Sequence, residues 1–393
     1  MKVLVYTTLF PNHLQPNNAI FIKQRMFHFA GLKDCQIKVV APVPYFPQIP
    51  FFKRWSLFSQ IRKWETMEGI EVYHPRYPLI PKISMPFHGI ALFLASLPLV
   101  KKIYRQFPFD IIDGHYIYPD GLAAVLLGKT IGKPVVLSAR GSDINQFSSF
   151  KIITPMIRYA LRSADHLISV CDALGQEMAK LGADNNKIRV IPNGVDTTRF
   201  YPLPKDEARR QLGIQYPGKV IVSIGSLIPR KGFHIILDAI PLLRRVGIDP
   251  HLYIIGEGPF RSELEQKIKN LGISDRVTLK GERPNEELRI WYGAADVFCL
   301  ASSREGWANV IMESLACGTP VVATNVWGAP EIITSEKVGT LVERTPESIA
   351  AGLQQALKKS WVRDEIVSHV SGRTWLTVAK EVEETFSRIL YSH

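Results

Sequence analysis

Short runs of β-branched and aliphatic residues alternate along the chain with stretches of helical periodicity. That alternation predicts strands and helices in turn, packed as parallel α/β layers. In the first half, VLVYTTL from Val3, IKVVAPV from Ile37, FDIIDGH ending at His115, KPVVLSA from Lys133 and HLISV from His166 read as strands. Helices are expected between them at Ile20–Gly31, Gly121–Thr130, Thr154–Ser163 and Ala173–Leu181. KIRVIPNGVD closes this half with a strand and a Pro-Asn-Gly turn. The stretch Thr197–Pro217, with three prolines and one short charged helix, reads as a connector. The pattern then restarts: KVIVSIGSL, HLYIIGEG, RVTLKGE, ADVFCLAS, PVVATNV and VGTLVE are six further strands separated by helices.

Two α/β domains follow from this pattern, about 1–200 and 201–374, with a last helix at about 375–393 expected to pack back on the first. The length of 393 residues suits two domains of ordinary size. A bilobal enzyme with a cleft is the expected plan. Ligands of open parallel sheets bind outside the strand C-termini, so the loops after the strands carry the chemistry.

Composition narrows the choice. Hydrophobic residues at 46% and charged residues at 21% are globular values. Cys35, Cys171, Cys299 and Cys317 are widely spaced, which argues against a disulfide framework or zinc site and for a reducing cytosol. The N-terminal segment runs directly into a strand pattern and reads as no secretory signal. Ile83 to Val100 has no Asp, Glu, Lys or Arg, but Ser84, Pro86, His88, Gly89 and Pro98 make it a buried or interfacial helix, and no membrane span is expected.

The net charge of +12 is uneven: residues 1–110 hold 14 Lys and Arg against 5 Asp and Glu, or +9. An anionic partner follows. No nucleic-acid module accompanies the charge. The segment Tyr45–Trp64, YFPQIPFFKRWSLFSQIRKW, mixes aromatic with basic residues, as a membrane interface selects and as a basic loop over a core also would.

Neither half carries a dinucleotide fingerprint, since Gly256-Glu257-Gly258-Pro259 lacks a helix-opening glycine at the right spacing, and no Walker-type loop occurs. An Asp-x-Asp metal clamp is also missing from the sequence. The most specific segment is SREGWANVIMESLACGTPVVATNVWGAPEII, Ser303–Ile333. A strand ends there at a polar loop, and a helix begins near Ala308–Asn309, where free amides favour an anion such as a diphosphate. Glu305 in the loop and Glu313 one turn inside the helix are placed to accept hydrogen bonds from hydroxyls. VIVSIGSLIPRKGFHIILDAI, from Val220, is a strand, a loop holding Gly225, and a helix, with Arg230 and Lys231 at the junction where a leaving diphosphate could be gripped. In the first half, Asp113-Gly114-His115 and Ala139-Arg140-Gly141-Ser142-Asp143 each follow an apolar strand.

These segments together resemble family 4 of the glycosyltransferases, a retaining group with the GT-B fold: two Rossmann-like domains with parallel sheets facing across a cleft. The resemblance covers nearly the whole chain. It implies a nucleoside-diphosphate sugar as donor, no cofactor and no metal. It makes Glu305 the contact to the transferred sugar, Glu313 the holder of the ribose, and Arg230 and Lys231 the neutralisers of the diphosphate. The backbone of Gly306, Trp307, Ala308, Asn309, Val310 and Ile311, with Gly225, would line the donor. His115 would lie beside the reacting carbon, and Arg140 and Asp143 would touch acceptor or phosphate. Where the family carries glycine in its first loop, this sequence has Ala19, which keeps the amide but resists positive φ.

The EGW-N-V form of the glutamate motif and the FPN…P…IF first loop look like bacterial surface-polysaccharide enzymes of the teichuronic-acid type. A glycan or lipid-linked acceptor is therefore expected, with the protein cytoplasmic and peripheral on the inner face of an anionic membrane. An epimerase of the same fold and a non-catalytic sugar-nucleotide-binding subunit are the rival readings.

Overall fold

The computed structural model describes residues 1–45, 57–79 and 84–391. It divides into two compact units, Met1–Asn193 with Trp375–His393, and Gly194–Thr374. The boundary falls before the expected residue 200 because Val195 and Phe200 are buried in the core of the second unit, beside Val220 and Tyr292. A parallel bridge between Val195 and Thr374 pairs the two points where the chain crosses over.

The first unit is built on strands β1 (Lys2–Tyr6), β2 (Gln36–Val40), β3 (Val43–Tyr45), β4 (Trp64–Met67), β5 (Ile70–Tyr73), β6 (Arg76–Pro78), β7 (Ile111–His115), β8 (Val135–Ser138), β9 (His166–Ser169) and β10 (Ile188–Val190). Eight of them form one sheet in the order β10-β9-β8-β7-β1-β2-β5-β4, and β3 pairs with β6 apart from it. All ladders of the large sheet are parallel except β4–β5. Central strands such as β1 and β7 are buried on both faces; β1 reads as the apolar run VLVY, while β7 ends in the buried polar residues Asp113 and His115. The terminal helix Trp375–Tyr391 lies on the helix Ile20–Ala30, with Phe386 edge-on to Phe29 at 5.5 Å between centroids. Trp375, Val378, Ala379 and Val382 complete the same core.

The charge-free stretch forms the helix His88–Gln106, entered through a 3-10 turn at Met85–Phe87. Gly89, Leu92, Ser96, Val100 and Ile103 turn inward. The Tyr6 hydroxyl meets Ser96 Oγ at 3.0 Å, and a side chain at Gly89 would strike Leu122. One face of this helix is thus a wall of the first unit, and the other is exposed. Of the aromatic and basic segment Tyr45–Trp64, residues 46–56 lie outside the described residues.

The second unit holds β11 (Val220–Ile224), β12 (His251–Ile255), β13 (Val277–Leu279), β14 (Val297–Leu300), β15 (Val321–Thr324) and β16 (Gly339–Val342). They form one parallel sheet in the order β13-β12-β11-β14-β15-β16. The strand order reverses between β11 and β14, and the helices that follow those two strands pack into different cores. A doubly wound sheet binds its ligand at that switch point.

Candidate active site

The loop after β11 begins at Gly225 and ends at Gly232, which opens the helix Phe233–Arg245. Gly232 sits at φ 73°, and a Cβ there would lie 1.9 Å from the Ala301 carbonyl oxygen, so the loop can approach the end of β14 only without a side chain. The Arg344 guanidinium reinforces the approach by donating to the carbonyls of Ala301 at 3.0 Å and Pro229 at 3.3 Å. The Ser303 amide in turn donates to the Arg230 carbonyl at 2.9 Å. The two loops flanking the switch point are thereby fixed to each other.

That contact brings together three of the expected residues. Lys231 Nζ lies 2.6 Å from Glu305 Oε1, and Arg230 Nη1 lies 3.8 Å from Glu305 Oε2. Ser302 Oγ donates to Glu305 Oε1 at 2.6 Å, and Arg230 also donates to the Arg304 carbonyl at 2.8 Å. Burial pushes the Glu305 carboxyl up, but Lys231, Ser302 and Arg230 outweigh it and hold it below its ordinary range. Glu305 is therefore an ionised, nearly buried acceptor whose two neighbouring cations exceed its own charge.

Past Glu305 the chain runs through Gly306, Trp307 and Ala308 into the helix Asn309–Ala316, whose N-cap, Ala308, supplies no side-chain bond. The Asn309 and Ile311 amides already donate to the carbonyls of Trp307 and Ala308. Glu313 stands apart from the Lys231 cluster. Tyr292 donates to its Oε2 at 2.9 Å, and burial pushes its pKa up to about 7 against the pull of Tyr292 and Arg199.

In the first unit, His115 ends β7 with no exposed surface. Its Nε2 lies 3.1 Å from Asp113 Oδ2, and Arg140 Nη2 lies 2.6 Å from its Nδ1. A guanidinium has only donors, so Nδ1 accepts and the ring proton sits on Nε2. Burial pushes the imidazole down to about 4, with Asp113 opposing and Arg140 adding to the shift. Arg140 also donates to Asn193 Oδ1 at 3.1 Å, and the buried Arg25 reaches Ser138 Oγ at 2.9 Å and Asp113 Oδ2 at 3.5 Å. His115 is neutral and enclosed by this network.

Asp143 stands in the same loop as Arg140. Its fully buried carboxylate accepts the amides of Gly141 at 2.7 Å, Ile117 at 2.8 Å and Arg140 at 3.1 Å. Its oxygens hold the turn of its own loop, next to Arg140. Ala19 adopts φ 47° at the start of the helix Ile20–Ala30, the left-handed geometry its side chain disfavours. Ser302, Arg344, Tyr292 and Arg25 were not foreseen. For Arg25 a signal existed: it occupies an inward position of the stripe Ile22, Arg25, Met26, Phe29, where a charge needs a buried partner.

Two doubly wound units, with a cation pair locked onto a buried carboxylate at the second unit's switch point, define a GT-B glycosyltransferase. The model for group 1 glycosyl transferases matches residues 204–369, and that for glycosyltransferase family 4 matches residues 57–199. A Bacillus subtilis protein named as a teichuronic acid biosynthesis glycosyltransferase is 27% identical over 385 residues, 95% of this chain and 94% of its own. A GDP-mannose-dependent phosphatidylinositol monomannoside mannosyltransferase of Mycolicibacterium smegmatis is 30% identical over 70% of this chain and 74% of its own. The solved structure of Anabaena HepE in complex with UDP and glucose superposes with a TM-score of 0.73 at 20% identity, over 98% of this chain and 99% of that one. The chain belongs to family 4 of the glycosyltransferases.

Proposed function

We propose that this glycosyltransferase is retaining and metal-independent, moving a hexosyl group from a nucleoside-diphosphate sugar to a hydroxyl of a glycan or lipid-linked acceptor in cell-surface polysaccharide synthesis. The Arg230–Lys231–Glu305 cluster carries the reading. Arg230 and Lys231 supply at the diphosphate the positive charge that a metal ion supplies elsewhere, and Lys231 has three donors, enough to serve Glu305 and a phosphate together. The bond from the anomeric carbon to the diphosphate breaks as the acceptor oxygen attacks on the same face. The acceptor's proton passes to the departing phosphate oxygen. Glu305 would take the sugar's hydroxyls and Glu313 the ribose, while His115 would stand beside the reacting carbon. The teichuronic acid and phosphatidylinositol mannoside relatives support a surface glycan or lipid-borne acceptor. The +9 of residues 1–110 supports a cytoplasmic enzyme peripheral on the inner face of the membrane.

The test is transfer from a panel of UDP-, GDP- and ADP-sugars to a membrane extract in excess EDTA, with the product's anomeric configuration read by NMR. Transfer should persist under chelation with configuration kept. An inverted product, or activity lost to EDTA and restored by manganese or magnesium, would contradict the proposal.

A further inference from the structure

The outward face of the helix His88–Gln106 has a composition its fold does not use. Phe87, Ile90 and Leu94 are 68%, 44% and 61% exposed. Pro98, Lys101 and Arg105 continue the exposed surface. At 100° per residue these six positions fall within roughly 80° of the helix circumference, so they form one straight stripe. The stripe changes character along its length: its first half is apolar and its second half basic. Lys102 flanks the basic end, and none of Lys101, Lys102 and Arg105 joins an ion pair among the described residues.

Elements packed nearby expose further large apolar side chains. The helix packs on β6, β6 pairs with β3, and the 3-10 turn Leu57–Gln60 packs on β3. Tyr45 at the end of β3 and Leu57 in that turn are also exposed. Three large side chains at helical spacing, with aromatic and aliphatic neighbours, exceed the single exposed hydrophobics that soluble surfaces normally carry.

We infer that this stripe is the surface by which the first unit docks on an anionic lipid bilayer. The inference deepens the proposed peripheral placement by naming its contact, and it does not depend on the identity of donor or acceptor. Charge decides the partner, since an apolar patch alone would suit another protein equally well. Here the patch runs straight into Lys101, Lys102 and Arg105, unpaired among the described residues, on a unit that carries most of the chain's net positive charge. Phe87 to Leu94 spans roughly 10 Å along the helix axis, enough for the three side chains to enter the interface together with the helix lying along the surface. Lys101 and Arg105 would then lie level with phosphate headgroups. The inward face, engaged through Ser96 and Gly89, holds the helix on the unit and excludes a transmembrane arrangement in this fold.

Sedimentation with vesicles of equal phosphatidylglycerol and phosphatidylcholine, and with phosphatidylcholine alone, tests it on the full chain. Wild type should bind the anionic vesicles, and less so as salt rises. Phe87→Ser, Ile90→Ser and Leu94→Ser combined should lower partitioning at least tenfold at every salt concentration. Lys101→Ser, Lys102→Ser and Arg105→Ser combined should lower it at low salt only, at roughly fivefold per residue. All six positions are exposed, so melting temperature and UDP affinity should match wild type. Wild type that ignores anionic vesicles, or variants that bind them equally, would overturn the inference. So would an apolar variant that changes only its mass in light scattering, because the stripe would then be a self-association face. UDP affinity reads the proposed function separately: if wild type lacks it while vesicle binding follows the pattern, the function fails and the surface stands.

Discussion

Glu313 and Glu305 are both glutamates of one motif, yet their surroundings drive them in opposite directions. Glu305 is held ionised by two cations and a serine hydroxyl. Glu313 has only Tyr292 and the influence of Arg199, and burial pushes it up to about 7. If ionised Glu313 receives the ribose hydroxyls, nucleotide binding favours its deprotonated form. Affinity for UDP should then rise as pH increases through 7 and level off above it. The Glu313→Gln protein should lack this rise once the titration of the diphosphate itself, common to both proteins, is subtracted. Calorimetry between pH 5.5 and 8.5 measures it, and identical pH profiles would remove Glu313 from the nucleotide site. The roles expected of these glutamates come only from resemblance. The pairing of Lys231 with Glu305 spans 74 residues and appears only when β11 and β14 are placed side by side. The hold of Asp143 on its own loop amides was not legible either, because a loop that packs a carboxylate against its amides looks, in sequence, like one that offers it to a ligand.

At the scale of elements, the strands of the second sheet were all legible; the central ones, VIVSI, VFCL and VVAT, are buried throughout and mostly apolar, and the edge strands VTL and GTLV keep a shorter β-branched signal. The hairpin β4–β5 in the first unit was not. WETM and IEVY carry charges on an edge strand and its neighbour, so the hydrophobic signal is weak there. The turn was the available clue: Glu68 and Gly69 both adopt positive φ, the geometry of a tight hairpin. Loop packing was equally silent, although it determines the site. Gly232 shows why. Replacing it with alanine would place a methyl against the Ala301 carbonyl and keep a left-handed φ, costing about 2–5 kcal/mol. Gly232→Ala should lower the unfolding midpoint of the protein markedly and separate Lys231 from Glu305. A midpoint within experimental error of wild type would show that the two loops are not held by this contact.

For the whole molecule, periodicity gave two α/β units and placed the connector within a few residues of the crossover. The exposed stripe of the helix His88–Gln106 escaped because a helix with no charge over 18 residues reads alike whether both faces or one is buried; only the fold separates Leu92 from Leu94. The central claim is that the switch point of the second unit binds and activates a nucleotide sugar. Arg230 is the residue that tests it most cleanly, because its guanidinium is 38% exposed and its loss leaves the buried Lys231–Glu305 pair intact. The decisive measurement is nucleoside diphosphate release, with sugar incorporation into membrane extract, by wild type and Arg230→Ala at matched folded concentration. A charge-assisted phosphate contact is worth about 1.5–3 kcal/mol, so the variant should be slower by roughly tenfold to a hundredfold. Release that is absent with every donor sugar, or equal in both proteins, would contradict the account.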